Sequence, residues 1–309
     1  MTRIDQLLQS DEPTFSFEFF PPKTEQGEQN LHAALDELRT LEPAYVSVTY
    51  GAGGSTQEKT LEIVSGIQQE HGLTAMAHFT CVGATEAELR SVLDQMRDAG
   101  IGNVLALRGD PPQGQEDWVK TDGGLEYSSQ LVSLLKADYD FSVGAACFPE
   151  GHIHATSRED DLRYLKEKVD AGVDFLITQM FFDNDLYFDF VDRARAIGID
   201  APIVPGVWPI TGYAQIARVT AMCGASLPEH LLGELEARKD DEEAVAEFGV
   251  AYATMQTADL LARGAPGAHF YTLNKSPATR AIMSALKLWR PWDAERTGLG
   301  APRTPPAAV

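Results

Sequence analysis

The chain has 309 residues, 44% apolar and 23% charged, which suits a soluble globular protein of one large domain or two ordinary ones. Its formal net charge of −21 repels nucleic-acid phosphates and anionic lipid, so neither is an expected partner. No apolar run approaches the roughly 20 residues of a membrane-crossing helix, and the N-terminal MTRIDQLLQSDEPTF lacks the apolar core and cleavage site of a secretory signal.

β-rich runs alternate with longer amphipathic stretches. A strand over 14–20 (TFSFEFF) precedes a helix over Glu25–Leu41, and a second over 44–50 (AYVSVTY) precedes one over Thr56–His71. The third, 73–80 (LTAMAHFT), leads to a helix over Glu86–Ala99, which Thr85 caps with Glu88 three residues on and Gly100 ends. Strands over 103–109 (NVLALRG) and 141–148 (FSVGAACF) follow, then a helix over Arg158–Ala171 that stops at Gly172. A sixth strand over 174–182 (DFLITQMFF), a helix over Leu186–Ile197, and strands over 202–208 (PIVPGVW) and 268–273 (AHFYTL) complete the series.

Eight strands, mostly about thirty residues apart and followed by helices, point to parallel βα units and an α/β fold closed as a (β/α)₈ TIM barrel. A doubly wound sheet would want a GxGxxG fingerprint after the first strand, and FEFFPPKTEQGEQ has none. The gap between strands seven and eight is about twice the usual length and holds an acidic helical insertion, Glu229 to Glu247, expected to present a solvated face. Residues 1–290 form the single catalytic barrel in this reading, and the Pro- and Ala-rich tail, 291–309, is disordered.

Barrel enzymes draw their working groups from the C-terminal strand ends. Those ends carry Glu18, Thr49, Tyr50, His78, Arg108, Asp110, Phe148 with His152 beyond, Gln179, Trp208, Tyr271 and Asn274, whereas the N-terminal ends carry nothing comparable. Glu18 lies within Phe17-Glu18-Phe19-Phe20, where desolvation by aromatic rings should raise its pKa and suit it to donate a proton. The competing reading turns it outward into a surface ion pair. In Leu107-Arg108-Gly109-Asp110-Pro111-Pro112 the glycine would let a flat ligand approach the backbone. Gly51-Ala52-Gly53-Gly54-Ser55-Thr56, at a helix start, suits phosphate and equally an ordinary capped turn. His152-x-His154 is the one close histidine pair and has no cysteine at ligand spacing, so no metal is expected. Cys81, Cys147 and Cys223 are scattered and fit reduced thiols in a cytoplasmic protein.

The runs FEFFPPK, SVTYGAGGST, ALRGDPP, FPEGH, KVDAGVDFLITQMFFD and HFYTLNK, in this order over roughly residues 14–290, resemble those of methylenetetrahydrofolate reductases. That resemblance implies a (β/α)₈ barrel holding FAD noncovalently, with NADH (or NADPH) and 5,10-methylenetetrahydrofolate taking turns at one flavin face. The chain is similar to the short bacterial form, which lacks the C-terminal regulatory domain of eukaryotic members and usually prefers NADH. By position, Glu18 resembles the catalytic acid that helps open the imidazolidine ring, and Asp110 the carboxylate near the flavin pyrimidine edge and the pterin. Thr49, His78, Leu107, Arg108, Gly109, Asp110, Tyr127, Phe148, His152, Asp161 and Lys168 fall where the family lines its FAD site. Glu18, Gln179, Tyr271 and Leu273 fall at the folate, and the chain is expected to form a homo-oligomer.

Three positions depart from the family pattern: Phe148 stands for a Tyr, Val219 for a Phe that contacts folate or nicotinamide, and Trp208 for a smaller aliphatic residue. They bear on affinity and nucleotide preference more than on the reaction. The alternatives are direct hydride transfer without flavin to the same folate, and a barrel lyase or aldolase. The latter would use Glu18, His78 and Asp110 as acid–base groups, with Lys275 as the Schiff-base candidate.

Overall fold

The structure, a computed structural model, describes residues 2–50, 57–109 and 121–293. Nine parallel strands form one sheet: β1 (Thr14–Phe19), β2 (Tyr45–Val48), β3 (Ala75–Thr80), β4 (Asn103–Leu107), β5 (Ser142–Cys147), β6 (Phe175–Thr178), β7 (Ile203–Val204), β8 (Gly206–Val207) and β9 (Gly267–Tyr271). The expected seventh strand is thus two short ones, parted by Pro205. Proline has no N–H to give the ladder, so pairing breaks there. β7 pairs with β6 and β8 with β9, and the Pro205 carbonyl accepts the His269 N–H at 2.9 Å. The wall closes through that residue into a barrel.

Alternation sorts the side chains. Phe15, Phe17 and Phe19 of β1 point outward into the main core, packed with Leu31, Leu35 and Leu38 of α2 (Glu25–Arg39). Burying each such ring contributes about 1.5–3 kcal/mol. Tyr45, Met76, Leu105, Phe175, Ile177 and Val204 point inward and form a separate interior cluster.

That interior is stoppered from below. α1 (Ile4–Leu7), too short to be read from the sequence, sends Ile4 and Leu8 into the same cluster. The strand starts hold it: the Ile4 N–H donates to Asn103 Oδ1 at 2.9 Å and the Asp5 N–H to Ser142 Oγ at 3.1 Å. The N-terminal strand ends, expected to be featureless, therefore carry a polar socket for α1.

The outer ring continues with α3 (Gln57–Glu70), α4 (Glu86–Asp98), α5 (Ser128–Asp138), α6 (Arg158–Asp170) and α7 (Asn184–Ala196). Thr85 and Glu88 form the expected capping box on α4. Between β8 and β9 lie α8 (Tyr213–Cys223), α9 (Glu229–Arg238) and α10 (Glu242–Ala262). The acidic insertion is two helices, because the run is interrupted where Asp241 caps α10 by accepting from the Ala244 N–H at 3.0 Å. Leu231, Leu235 and Val245 anchor it against Trp208, Met180 and Ile210, so one face is core and the other charged.

After α11 (Pro277–Trp289), residues expected to belong to a disordered tail are packed instead. The Trp292 ring lies 5.7 Å from that of Phe15, and its Nε1–H donates to Glu12 Oε2 at 2.9 Å. Residues 294–309 lie outside the described residues.

Candidate active site

Glu18 faces the barrel interior. Its outward neighbours Phe17 and Phe19 leave it among imidazoles: Oε2 is 3.3 Å from His269 Nε2 and 3.4 Å from His78 Nε2. His269 Nδ1 is 2.8 Å from Ser16 Oγ. One tautomer of His269 satisfies both its ring nitrogens, with Ser16 donating to Nδ1 and the Nε2–H donating to the carboxylate, whereas His78 Nε2 has no hydrogen-bond partner among the described residues. The Thr272 N–H and hydroxyl both donate to the Glu18 carbonyl, fixing the strand end.

The electrostatics differ from the expectation. Burial pushes the Glu18 pKa up, but the His78 imidazole and the His269 hydrogen bond pull it down, and the net direction is down. Burial outweighs the attraction of Glu18 and pushes His78 down to about 4. His78 is then neutral near pH 7, and the His269 hydrogen bond is what still favours the carboxylate. The aromatic rings expected to raise Glu18 lie on the other face of the strand.

The remaining mouths bring most of the expected residues to one end of the barrel. Thr49 follows β2, its N–H donating to the Phe19 carbonyl at 2.8 Å. Leu107, Arg108 and Gly109 close β4. Gly109 is required by packing as well as by any ligand: its φ is +93°, and a Cβ there would stand 2.5 Å from Val82 Cγ1. The Phe148 ring meets the His152 ring edge-on at 4.7 Å. Tyr127 stands at the N-cap position of α5 and is 54% exposed. Burial raises the Asp161 pKa and lowers that of Lys168, whose ammonium donates to the Ala146 carbonyl at 2.6 Å.

Gln179 follows β6 and accepts the Met180 N–H on its side-chain oxygen at 2.9 Å, which leaves its NH₂ as the end available to a ligand. Tyr271 lies across the mouth, donating its hydroxyl to the Thr178 carbonyl at 2.8 Å. Gly206 makes that crossing possible, since a Cβ there would meet the Thr178 carbonyl at 2.3 Å and the Tyr271 hydroxyl at 2.7 Å. The Trp208 ring covers Tyr271 at 5.7 Å. Leu273 and Asn274 both hold φ of +55°, a strained pair that turns the chain directly after β9.

Asp110 and Gly51–Thr56 lie outside the described residues. Among the described residues no group of three or more His, Cys, Asp or Glu could hold a metal. His269 and Ser16 were absent from the sequence-derived site. Strand alternation could have supplied both, since each lies two residues before a recognised mouth residue.

The model of the family described as methylenetetrahydrofolate reductase matches residues 3–287. The chain belongs to that family. It is 40% identical over 272 residues to 5,10-methylenetetrahydrofolate reductase of Escherichia coli, covering 88% of this chain and 90% of the relative. It is also 40% identical over 297 residues to methylenetetrahydrofolate reductase (NADH) 1 of Arabidopsis thaliana, covering 93% of this chain and 50% of the relative. The chain thus spans about half the length of the plant relatives it matches. Among solved structures, the fold is similar to an uncharacterized Clostridium thermocellum protein that binds two copies of 5-methyl-5,6,7,8-tetrahydrofolic acid. There the TM-score is 0.62 at 14% identity, covering 92% of this chain and 97% of the other. The fold is shared as well with a 2,3-dimethylmalate lyase, with a TM-score of 0.51 at 11% identity over 100% of this chain and 91% of that one.

Proposed function

We propose that the chain reduces 5,10-methylenetetrahydrofolate to 5-methyltetrahydrofolate with NADH or NADPH, using FAD. What carries this within the family is Glu18: a half-buried carboxylate in the barrel interior, oriented by His269 and Ser16 and surrounded by the mouth residues. Arg108 fits the cofactor's diphosphate, being a cation at the β4 mouth with no ion pair to a described carboxylate in a strongly acidic chain. Thr49, His78 and Phe148 would hold the isoalloxazine on the β2, β3 and β5 sides, with Tyr127, His152, Asp161 and Lys168 toward the rest of the molecule. FAD, when bound, supplies the two-electron chemistry that links the nicotinamide to the folate.

The residues themselves act on the folate. Glu18 delivers a proton to the amine nitrogen that leaves as the methylene bridge opens, and the bridge carbon becomes an electrophilic iminium. The carboxylate must first acquire that proton, which desolvation by a bound substrate favours. Gln179 offers its NH₂ to the folate, and Tyr271 and Leu273 wall it in. Asp110 would stabilise the cation. The balance is one hydride from the nicotinamide and one proton through Glu18 for each methyl group formed.

The test is anaerobic. The purified protein should be yellow, release FAD on acid or heat treatment, bleach on NADH addition and recover colour with 5,10-methylenetetrahydrofolate, yielding 5-methyltetrahydrofolate. Colourless protein that still forms this product would assign direct hydride transfer, and absence of the product under all conditions would overturn the proposal.

A further inference from the structure

Two loops meet across the mouth beside Gln179. α8 ends at Gly224, whose φ of +74° turns the chain back toward the β5–α6 loop. Ile153 of that loop packs over Gly224, its Cβ 3.6 Å from where a side chain on the glycine would begin. Two residues on, Ser226 is held by Glu150, 76 positions away in sequence: the Ser226 N–H donates to Oε1 at 3.0 Å and to Oε2 at 3.2 Å, and its hydroxyl donates to Oε2. Beneath this bridge is a shallow, open groove whose lining includes Phe148, Gln179, Met180 and Cys223.

We infer that Glu150 is a positioning residue which, through Ser226, fixes the α8–α9 loop as the outer wall of the folate-binding cleft. The inference rests on the folate reading above. Residues 225–228 have no regular secondary structure, so their own backbone does not set their place. A carboxylate receiving an N–H and a hydroxyl forms charge-assisted bonds, stronger than neutral ones. Nothing in the cleft marks Glu150 as an acid–base group, because its carboxylate oxygens are engaged by Ser226 at the rim. The Phe148 ring and the Gln179 NH₂, beside the Glu150 carboxylate, suit the flat, non-reacting aromatic part of the substrate better than a phosphate-bearing one.

The experiment is steady-state and half-reaction kinetics on Glu150→Ala, Glu150→Gln, Ser226→Ala and the Glu150→Ala/Ser226→Ala double variant. The parent is measured first, and failure of the parent to reduce 5,10-methylenetetrahydrofolate would overturn the proposed function itself. With an active parent, Glu150→Ala should raise KM for the folate about tenfold, the equivalent of one well-made hydrogen bond. Reduction by NADH should stay within about twofold, and Glu150→Gln, which keeps an acceptor, should recover most of the loss. The double variant should be no worse than Glu150→Ala, since the two residues act as one unit. Hydrogen exchange at the amides of 224–228 should accelerate in Glu150→Ala even if the kinetic change is small. An unaltered folate KM, a lower folate KM, or equal losses in both half-reactions would each overturn the inference.

Discussion

The carboxylate of Glu18 stands 3.3 Å from Nε2 of His269, so the interior of this barrel holds a carboxylate–imidazole pair in a position where most barrels place only packing side chains. Ser16 fixes the far side of the ring, and the pair therefore comes with its tautomer set.

Glu18→Gln keeps size and hydrogen bonding but cannot donate a proton. In stopped-flow measurements it should bind FAD and be reduced by NADH within about tenfold of the parent, while reoxidation by 5,10-methylenetetrahydrofolate falls by at least ~10². Equal slowing of both half-reactions would recast Glu18 as structural.

His269→Ala removes the hydrogen bond that still favours the Glu18 anion. The alkaline limb of the folate half-reaction, where Glu18 loses the proton it must donate, should move to higher pH, because Glu18 is then easier to protonate. Ser16→Ala should shift the limb in the same direction by less. A pH profile identical to the parent's in both variants would remove His269 from the chemistry.

Acid lability is expected from the same cluster. Glu18 is held below its ordinary range, so its contribution to stability is present above the unfolded pKa and lost as pH falls through the folded one. His78, neutral when buried, is lowered from 6.5 to about 4, so protons bind the unfolded chain more readily in that interval. Stability should fall from pH 6.5 to pH 4 by at most about 3 kcal/mol from this histidine. In His78→Gln the Tm should be flatter across that window. An equal Tm slope in parent and variant would assign the acid sensitivity elsewhere.

Gly206→Ala places a methyl group against the Thr178 carbonyl and the Tyr271 hydroxyl. Overpacking of this kind costs roughly 1–3 kcal/mol, and here it also lifts Tyr271 off its tether. Tm should drop and the folate KM should rise together. A variant with parental values in both would show that Tyr271 is not pinned as described.

Asp110→Asn tests the family's second carboxylate, which lies outside the described residues. An anion about 5 Å from the flavin at an effective dielectric of about 20 disfavours the reduced form by at most ~3 kcal/mol. The midpoint potential should rise by tens of millivolts, since ~30 mV corresponds to ~1.4 kcal/mol for two electrons. Folate turnover should slow. If potential and turnover both hold, Asp110 is a turn residue only.

Much of the fold was legible because each buried strand is a short apolar run ended by Gly, Pro or a polar group, and Thr85, Gly100 and Gly172 punctuate the helices as expected. Glu18 at the mouth followed from its place at the end of the first strand. Its electrostatics did not, because the aromatic neighbours in sequence point the other way and the imidazoles arrive from β3 and β9. His269 carries no such signal, because it lies two residues inside the strand end at Tyr271. α1 escaped because four helical residues carry too little periodicity, and its stability comes from Asn103 and Ser142 far along the chain. The Glu150–Ser226 contact joins two loops, where local sequence says least about which neighbours meet.

Pro205 gives the barrel a seam. Around most of the circumference neighbouring strands are laced by backbone ladders, but at this one place the wall passes from β7 to β8 through a covalent link, with the Gly206 N–H taken by the Thr178 hydroxyl at 2.8 Å. A closed cylinder has no edge from which to unravel, whereas a seamed one has a preferred line of opening. That line runs up to Trp208 and Tyr271. The least firmly stitched stave of the cask therefore stands at the mouth, beside Trp208 and Tyr271.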